Sequence, residues 1–275
     1  MKKINTLLLS LLISSFALSQ QKDRSQLKGK FFSYWGWNRG LFTNSNIHFK
    51  GDNYKFTLHQ AKALDKQSPF NFDVYFNPLK LSIPQYNFRL GYYITNKYNI
   101  SIGQDHMKYV VTQNQIARIS GDINNGSAYD GIYNNDNIKL TKDFLQLEHT
   151  DGLNYANIAL GRTDLIKSVY EGKVKLNLVE NFGLGLLVPR TDATLLNYKR
   201  HDKFHLAGYG TNLMLGANIT LWDVFFIQSE FKGGFINLPW IRTTFDKADS
   251  AKQNFFFFQR NILFGFIFNL NTANK

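Results

Sequence analysis

Residues 54–59 read YKFTLH and residues 174–178 read VKLNL, so apolar and polar side chains alternate along both segments. Successive side chains of a β-strand point to opposite faces, so each segment would present one apolar face and one polar face. After the first 20 residues, no stretch is apolar over the length that a membrane-spanning helix needs. We therefore predict an all-β fold, a transmembrane antiparallel up-and-down β-barrel.

The N-terminal segment has the features of an export signal. Lys2 and Lys3 precede an apolar run over residues 7–18, and Ala17-Leu18-Ser19 supplies small residues for cleavage before Gln20. We expect residues 1–19 to be a cleaved signal peptide and residues 20–275 to form a single barrel domain in the cell outer membrane.

The composition agrees with a barrel in an exported chain. The mean hydropathy is −0.29 although 16% of the residues are aromatic, as expected where only every second strand residue faces lipid. The chain has no Cys, which excludes disulfides and thiolate metal sites. Its net charge is +12. For an exported protein we expect lipopolysaccharide phosphates or an anionic solute, and no nucleic acid, to balance this charge.

Threading the chain with short turns in the periplasm and long loops outside predicts about twelve strands, with ten remaining open. The upward strands are expected near 30–38, 54–63, 99–111, 153–162, 182–189 and 224–234. The downward strands are expected near 45–50, 85–95, 143–150, 173–179, 205–219 and 255–269. The long connections would then lie near 64–84, 113–142, 190–204 and 235–254.

Short turns fix the expected register of neighbouring strands. We expect them at 52–53, 96–98, 151–152, around residue 180 and at 221–223, and Asp151-Gly152 is a strong two-residue hairpin signal. The turn at 52–53 pairs apolar residues with each other, Ile47 with Leu58 and Phe49 with Phe56. The turn at 151–152 pairs Leu145 with Ile158 and Leu147 with Ala156, all facing lipid.

The hairpin around residues 96–98 carries a specific expectation about charge. A three-residue turn pairs Tyr92 with Ile102, whereas a two-residue turn would pair Tyr92 with Ser101 and mix the two faces. The accepted register places Arg89 opposite Asp105 inside the barrel.

The last predicted strand, residues 255–268, reads FFFFQRNILFGFIF and is the most aromatic part of the chain. Here the chain resembles bacterial outer-membrane β-barrels, whose final strand ends in aromatic residues that the assembly machinery reads. Phe264, Phe266 and Phe268 match that pattern, although residues 269–275 continue beyond it. The resemblance implies location in the outer membrane and contact with the assembly machinery. The barrels that the chain resembles most have no assigned activity.

Several ionisable side chains are expected to point into the lumen. They could pair and fill it, or they could line a mildly anion-preferring pore, since basic groups outnumber acidic ones. These lumen-lining candidates are Lys55, His59, Arg89, Asp105, Glu148, Lys173, Lys175, Glu230 and Lys232.

A second group of candidates lies at the outer rim. His106 and Lys108 fall on the outward phase of their strand, where they could reach lipid head groups or, for His106, serve an acyl hydrolase. No Gly-x-Ser-x-Gly motif occurs, and Asp105 points to the opposite face from His106, which weakens the hydrolase interpretation. The expected lipopolysaccharide contacts are Lys108, Arg190, Lys199, Arg200 and Lys203.

The sequence favours a structural or passive-transport, porin-like role. Two alternatives remain open: an outer-membrane lipid or lipopolysaccharide acyl hydrolase, and a surface adhesin or docking protein that acts through its long loops. Small anionic or sugar solutes remain open as partners. The six His residues lack metal-ligand spacing, so we predict no metal and no cofactor.

Overall fold

The computed structural model describes residues 26–80, 83–201, 203–244, 246 and 248–270. The predicted signal peptide and the chain beyond residue 270 therefore lie outside the described residues. Most of the described chain forms β-strands joined into one antiparallel sheet. The strands are β1 (Phe31–Phe42), β2 (Ser45–Gly51), β3 (Tyr54–Ala61), β4 (Ala63–Asp65), β5 (Tyr86–Tyr93), β6 (Tyr98–Val111), β7 (Ile116–Ile123), β8 (Gly131–Lys139), β9 (Leu145–Val169), β10 (Val174–Leu187), β11 (Asp192–Leu195), β12 (Tyr198–His201), β13 (Gly208–Leu221), β14 (Phe225–Arg242) and β15 (Ser250–Phe268).

Eight of the described strands close into a barrel. The order around the ring is β1, β5, β6, β9, β10, β13, β14 and β15, and β15 pairs again with β1 from Phe31–Phe268 to Phe42–Phe257. Short turns at 94–97, 170–173 and 222–224 lie at one end of the barrel, where β1 begins and β15 ends. Long connections lie at the opposite end. The predicted antiparallel up-and-down barrel is confirmed.

The expected count of about twelve barrel strands differs from the ring of eight. The segments 143–150 and 153–162 belong to the single strand β9, and 173–179 and 182–189 belong to β10. The segments 45–50 and 54–63 form the β2–β3 hairpin, which lies outside the ring. The predicted turns at 151–152 and around residue 180 are therefore wrong, and the turn at 170–173 takes their place.

A bulge explains why Asp151-Gly152 does not end a strand. The pairing of β6 with β9 passes from Met107–Leu153 to Tyr109–His149, so three β9 residues, 150–152, lie opposite the single β6 residue Lys108. Gly152 has a φ of +124°, a conformation that serves a bulge as well as a turn. The expected lipid-facing pairs of Leu145 and Leu147 are replaced by pairs with Leu195 and Ala193 of β11.

A β-extension continues the sheet beyond the long-connection end of the barrel. The upper part of β15 pairs with β2, and β2, β3, β7 and β8 follow in that order. The expected pairs Ile47–Leu58 and Phe49–Phe56 are confirmed. Their side chains are almost fully buried and pack into one apolar cluster with ring residues such as Phe255 and Phe257, so they face protein rather than lipid.

The outer wall of the ring is apolar. Along β15 every second residue is exposed, and the exposed positions include Phe256, Phe258, Ile262, Phe264 and Phe266. The other ring strands expose large apolar side chains on the same wall, among them Leu90, Ile102, Leu160, Leu184, Leu213 and Ile227. Because such a wall is unfavourable in water, it is the surface that a bilayer covers.

A short helix packs against the outer wall. The helix α1 (Phe72–Phe76) begins after Asn71, whose side-chain oxygen accepts the N–H groups of Asp73 and Val74. The Trp37 ring lies 5.8 Å from that of Tyr75 and 5.3 Å from that of Phe76. Among the described residues, no helix has the length and apolar character that a membrane-spanning helix requires.

Candidate functional sites: the lumen and the outer wall

An apolar layer fills the lumen at the end that carries the short turns. It is formed by Phe32, Tyr34, Tyr93, Phe226 and Leu263, together with Leu27 and Ile267, all of them buried. Gly265 leaves room for the Phe226 ring, because a Cβ at that glycine would lie 2.3 Å from a ring carbon. The Phe226 ring therefore occupies the space that a side chain at position 265 would fill.

A buried ionic network crosses the middle of the lumen. The Lys232 ammonium lies 2.8 Å from Asp105 Oδ2 and 3.9 Å from Glu230 Oε1. Asn87 donates to Asp105 at 3.0 Å, and Asn261 and Gln228 donate to Glu230 at 2.8 and 2.7 Å. Both carboxylates thus have a cation and amide donors, as buried charges require.

Arg89 belongs to a neighbouring part of the same layer. It donates to Ser101 Oγ at 3.1 Å and to Asn157 Oδ1 at 2.6 Å. In the observed register Arg89 lies opposite Gly103, and Asp105 lies opposite Asn87. The expected Arg89–Asp105 cross-strand pair is therefore wrong by two positions, although both side chains do point into the lumen.

Amide side chains fill the remaining cross-section. Asn177 donates to Asn218 and Thr220, and Asn212 donates to Asn181. On the other side of this group, the Tyr155 hydroxyl lies 3.1 Å from Asn212 Oδ1. Above this layer, the apolar cluster of the upper ring and the β-extension begins.

A small cavity lies in the lower part of the ring. It has a volume of about 30 Å³ and lies below the ionic network, lined among others by Tyr34, Arg89, Ser101 and Asn181. This volume holds roughly two water molecules. An apolar layer, an ionic and amide layer, and a second apolar layer therefore follow one another along the barrel axis.

A second site lies on the outer wall, near the long-connection end. It is a pocket of about 430 Å³, lined by Ile83, Tyr86, Gln104, His106, Lys108, Thr150, Asp151, Asn154, Arg190 and Phe204. Three of these residues, Gln104, His106 and Lys108, occupy the outward phase of β6. The pocket therefore opens away from the lumen.

His106 is held rigidly at this pocket. Its Nδ1 lies 2.9 Å from Asn154 Oδ1, and its ring stacks on Tyr86 with 5.1 Å between centroids. Gln104 donates to both Tyr86 and Asn154. In the described part of the chain, no Ser or Thr hydroxyl is hydrogen bonded to His106. A hydrolase would need such a nucleophile or an activated water there.

Two cations contribute to the same pocket. Lys108 Nζ donates to Ser68 Oγ at 3.1 Å and to the Ile83 carbonyl at 2.8 Å. Arg190 forms an ion pair with Asp151 at 3.1 Å. The bulge in β9 places Asp151 and Asn154 at the pocket. The sequence analysis named His106, Lys108 and Arg190, but its hairpin at 151–152 could not bring Asp151 and Asn154 beside them.

The other lumen candidates lie elsewhere. Lys55 and His59 are on β3 of the β-extension, where Lys55 is exposed and His59 contacts Ser120 at 3.0 Å. Glu148 lies above the bulge and pairs with Lys66 at 3.0 Å. Placing these three residues in the lumen was wrong. Lys55 and His59 lie on a strand outside the ring, and Glu148 lies where β9 extends beyond the barrel.

Two further lysines mark the short-turn end. Lys173 lies exposed in the turn 170–173, so its expected place in the lumen is wrong. Lys175 pairs with Asp223 at 2.7 Å near that rim. Glu230 and Lys232 are inside the barrel, as described above.

The expected lipopolysaccharide contacts fall in two places. Lys108 and Arg190 line the outer-wall pocket. Lys199 and Arg200 belong to β12, and Lys203 is exposed in the same connection. Among the described residues, no group of three or more His, Asp or Glu side chains is arranged to hold a metal ion.

The closed ring with an apolar outer wall defines the chain as a transmembrane β-barrel of the outer-membrane type. Its structural neighbours are outer-membrane β-barrel proteins of Gram-negative bacteria. No protein-family model and no curated protein sequence matches this chain.

Three solved structures illustrate the likeness. OprG from Pseudomonas aeruginosa is 11% identical, with a TM-score of 0.39 over 90% of this chain and 99% of that one. AlkL, solved in lipid bilayers, is 10% identical, with a TM-score of 0.41 over 93% and 97%. Ail of Yersinia pestis is 10% identical, with a TM-score of 0.32 over 87% and 99%.

Proposed function

We propose that this protein is an outer-membrane β-barrel with a structural role and a closed lumen, whose interactions take place on its outer wall and its β-extension. The observation that carries this proposal is the filling of the lumen by three successive layers of side chains. Passive transport would require a continuous aqueous path, and a barrel of this size can be filled by its own side chains.

Proteoliposome swelling tests the proposal. Vesicles that contain the folded protein should swell in isotonic solutions of small sugars or small anions no faster than protein-free vesicles. A general porin reconstituted at the same protein-to-lipid ratio provides the positive control. Swelling close to that of the porin would contradict a closed lumen and restore the porin-like interpretation.

A second candidate function is contact with lipopolysaccharide. It is favoured by the grouping of Lys108 and Arg190 around one pocket on the outer wall, since phosphate groups bind paired cations. Changing both residues to Ala should lower the lipopolysaccharide that copurifies with the protein, and high salt should mimic the change. Changing the exposed Lys139 of β8 to Ala removes one charge elsewhere and should have no effect.

The connection after β10 also carries basic residues, and its contact with lipopolysaccharide can be tested separately. Neutralising Lys199, Arg200 and Lys203 together should also lower copurified lipopolysaccharide while the barrel stays folded. If neither this triple variant nor the pocket variant loses lipopolysaccharide, the contact hypothesis fails for both regions.

The acyl hydrolase alternative depends on His106. If the His106–Asn154 pair activates a water molecule, His106→Gln should abolish lipid turnover and leave lipopolysaccharide binding intact. Mass spectrometry of lipid A and phospholipids, with and without the wild-type protein, measures this turnover. Unchanged lipid profiles would remove the hydrolase from consideration.

The adhesin or docking alternative depends on the β-extension. Strand β8 lies at the edge of the described sheet and its side chains are mostly exposed, with Ile132 at 90%. An exposed edge offers unpaired backbone groups to a strand of another protein. Removing the β7–β8 hairpin should abolish such docking without unfolding the barrel.

A further inference from the structure

Two arginines lie directly opposite each other on the outer wall, at the seam where the barrel closes. Arg39 of β1 pairs with Arg260 of β15 in the register that joins the first and last strands of the ring. Both residues are exposed and both occupy the outward phase of their strands. Directly opposite side chains have Cβ atoms roughly 4.5–5.5 Å apart, and like charges at that spacing destabilise the pair.

The described protein residues supply little opposing charge. Neither arginine forms an ion pair with a carboxylate of the described residues. Asp65 attracts Arg39 electrostatically, but its carboxylate accepts hydrogen bonds from the Gly40 N–H and the Gln85 side chain. Glu230, on the neighbouring strand, is buried on the lumen side.

The surroundings of the pair are apolar. On the same wall, Trp37 and Ile262 pair one step below the arginines, and Leu41 and Phe258 pair one step above. Leu41, Phe258 and Ile262 are all more than half exposed. The acyl chains of a lipid whose phosphate lies between the arginines would cover Ile262, the exposed neighbour on the membrane side of the pair.

The height of the pair also suits a lipid head group. Strand β1 begins with Phe31 at the short-turn end of the ring. Arg39 lies eight residues further along this strand, towards the long-connection end. For a tilted strand this corresponds to roughly 20 Å along the membrane normal, near the far edge of an apolar band about 25 Å tall. Guanidinium groups at this level reach the layer where lipid phosphates lie.

We propose that Arg39 and Arg260 together bind the phosphate group of a membrane lipid, with its acyl chains against Ile262. The phosphate neutralises the repulsion between the guanidinium groups, and each of them can bind it through two parallel N–H donors. Because the pair lies on the closing seam, anionic lipid stabilises the closed ring. The two arginines belong to β1 and β15, whereas the residues of the outer-wall pocket belong to β5, β6, β9 and their connections, and the inference does not rest on the proposed function.

Urea unfolding in vesicles of stated composition tests the proposal. The protein is folded into pure phosphatidylcholine vesicles and into phosphatidylcholine vesicles that contain one fifth phosphatidylglycerol. The wild-type midpoint should be higher with phosphatidylglycerol, and this gain should shrink at high salt. Arg39→Gln/Arg260→Gln should lose the gain, while in pure phosphatidylcholine it should be at least as stable as the wild type.

Two controls keep the test decisive. Lys167→Gln removes one exposed charge near the short-turn end of β9 and should keep the gain. If the double Gln variant does not fold, Arg39→Lys/Arg260→Lys keeps the charge but loses the bidentate geometry, and its gain should be smaller than that of the wild type. A variant that keeps the full phosphatidylglycerol gain without both arginines would overturn the proposal.

Lipid retention identifies the source of the phosphate. After a detergent wash, each single Arg→Gln variant should retain roughly fivefold less phosphatidylglycerol than the wild type. Sodium phosphate, added to phosphatidylcholine vesicles at matched ionic strength, should raise the wild-type midpoint less than phosphatidylglycerol does. An equal effect of free phosphate would show that the pair binds the ion alone and would refute the lipid assignment.

Discussion

Lys232 of β14 and Asp105 of β6 form an ion pair of 2.8 Å across the full width of the barrel. These strands are four places apart in the ring of eight, so they lie on opposite sides. Both side chains are about 1% exposed. One lysine side chain therefore reaches across the lumen at this level, where Asn87 and Arg89 also point inward.

This ion pair gives a prediction about stability. Lys232→Met leaves the buried carboxylates of Asp105 and Glu230 without their nearest cation, so it should lower the free energy of unfolding by about 3–5 kcal/mol. Combining it with Asp105→Asn should cost less than the sum of the single changes. Urea unfolding followed by Trp fluorescence measures the coupling.

The control for this prediction is Lys175→Met. Its partner Asp223 is only partly buried at the rim, so the change should cost less than about 1 kcal/mol. Arg89 and Asp105 should show weaker coupling than Lys232 and Asp105. If the two double-mutant cycles gave equal coupling energies, the observed ion pair and hydrogen bonds would not determine the stability of this layer.

The packing of the lower layer gives a second prediction. A Cβ at Gly265 would overlap the Phe226 ring, so Gly265→Ala should destabilise the barrel by about 1–3 kcal/mol. Adding Phe226→Leu should recover part of that loss because the smaller side chain frees the space. If the double variant is less stable than Gly265→Ala alone, the steric explanation is incorrect.

Asp65 gives a prediction about pH. Burial raises its pKa in the folded state, so the folded protein binds the proton more tightly than the unfolded chain. The stability that protonated Asp65 contributes is fully present below the unfolded pKa and is lost as pH rises through the raised folded pKa.

Comparison with a neutral variant isolates this effect. The difference in unfolding free energy between the wild type and Asp65→Asn should change in favour of the variant as pH rises from about 4 towards neutrality. Other carboxylates contribute equally to both proteins and cancel. A difference that stays constant with pH would show that the pKa of Asp65 is not raised.

The period-two pattern predicted strands and turns better than it predicted what the strands face. Ile47, Phe49, Phe56 and Leu58 pair as expected, yet they cover a protein core, since alternation looks the same whether the apolar face meets lipid or protein. The turn before β14 and the aromatic strand β15 were found correctly.

Errors of register and of strand ends have physical causes as well. The β5–β6 pairing is shifted by two residues, with Tyr92 opposite Ile100, and a shift of two leaves every side chain on its expected face. Gly152 has the positive φ of a turn residue but lies in a bulge, so local sequence could not separate the two. The outer-wall pocket and the Arg39–Arg260 pair depend on such long-range pairings.

Single-channel recording in planar bilayers tests the closed lumen most directly. The folded wild-type protein, with its insertion checked by the shift in gel mobility between boiled and unboiled samples, is recorded in concentrated potassium chloride. We predict no stable conductance steps above the protein-free baseline, because the layers around Asp105 and Lys232 leave no continuous aqueous path. Reproducible steps of fixed size, with or without anion selectivity, would contradict the account.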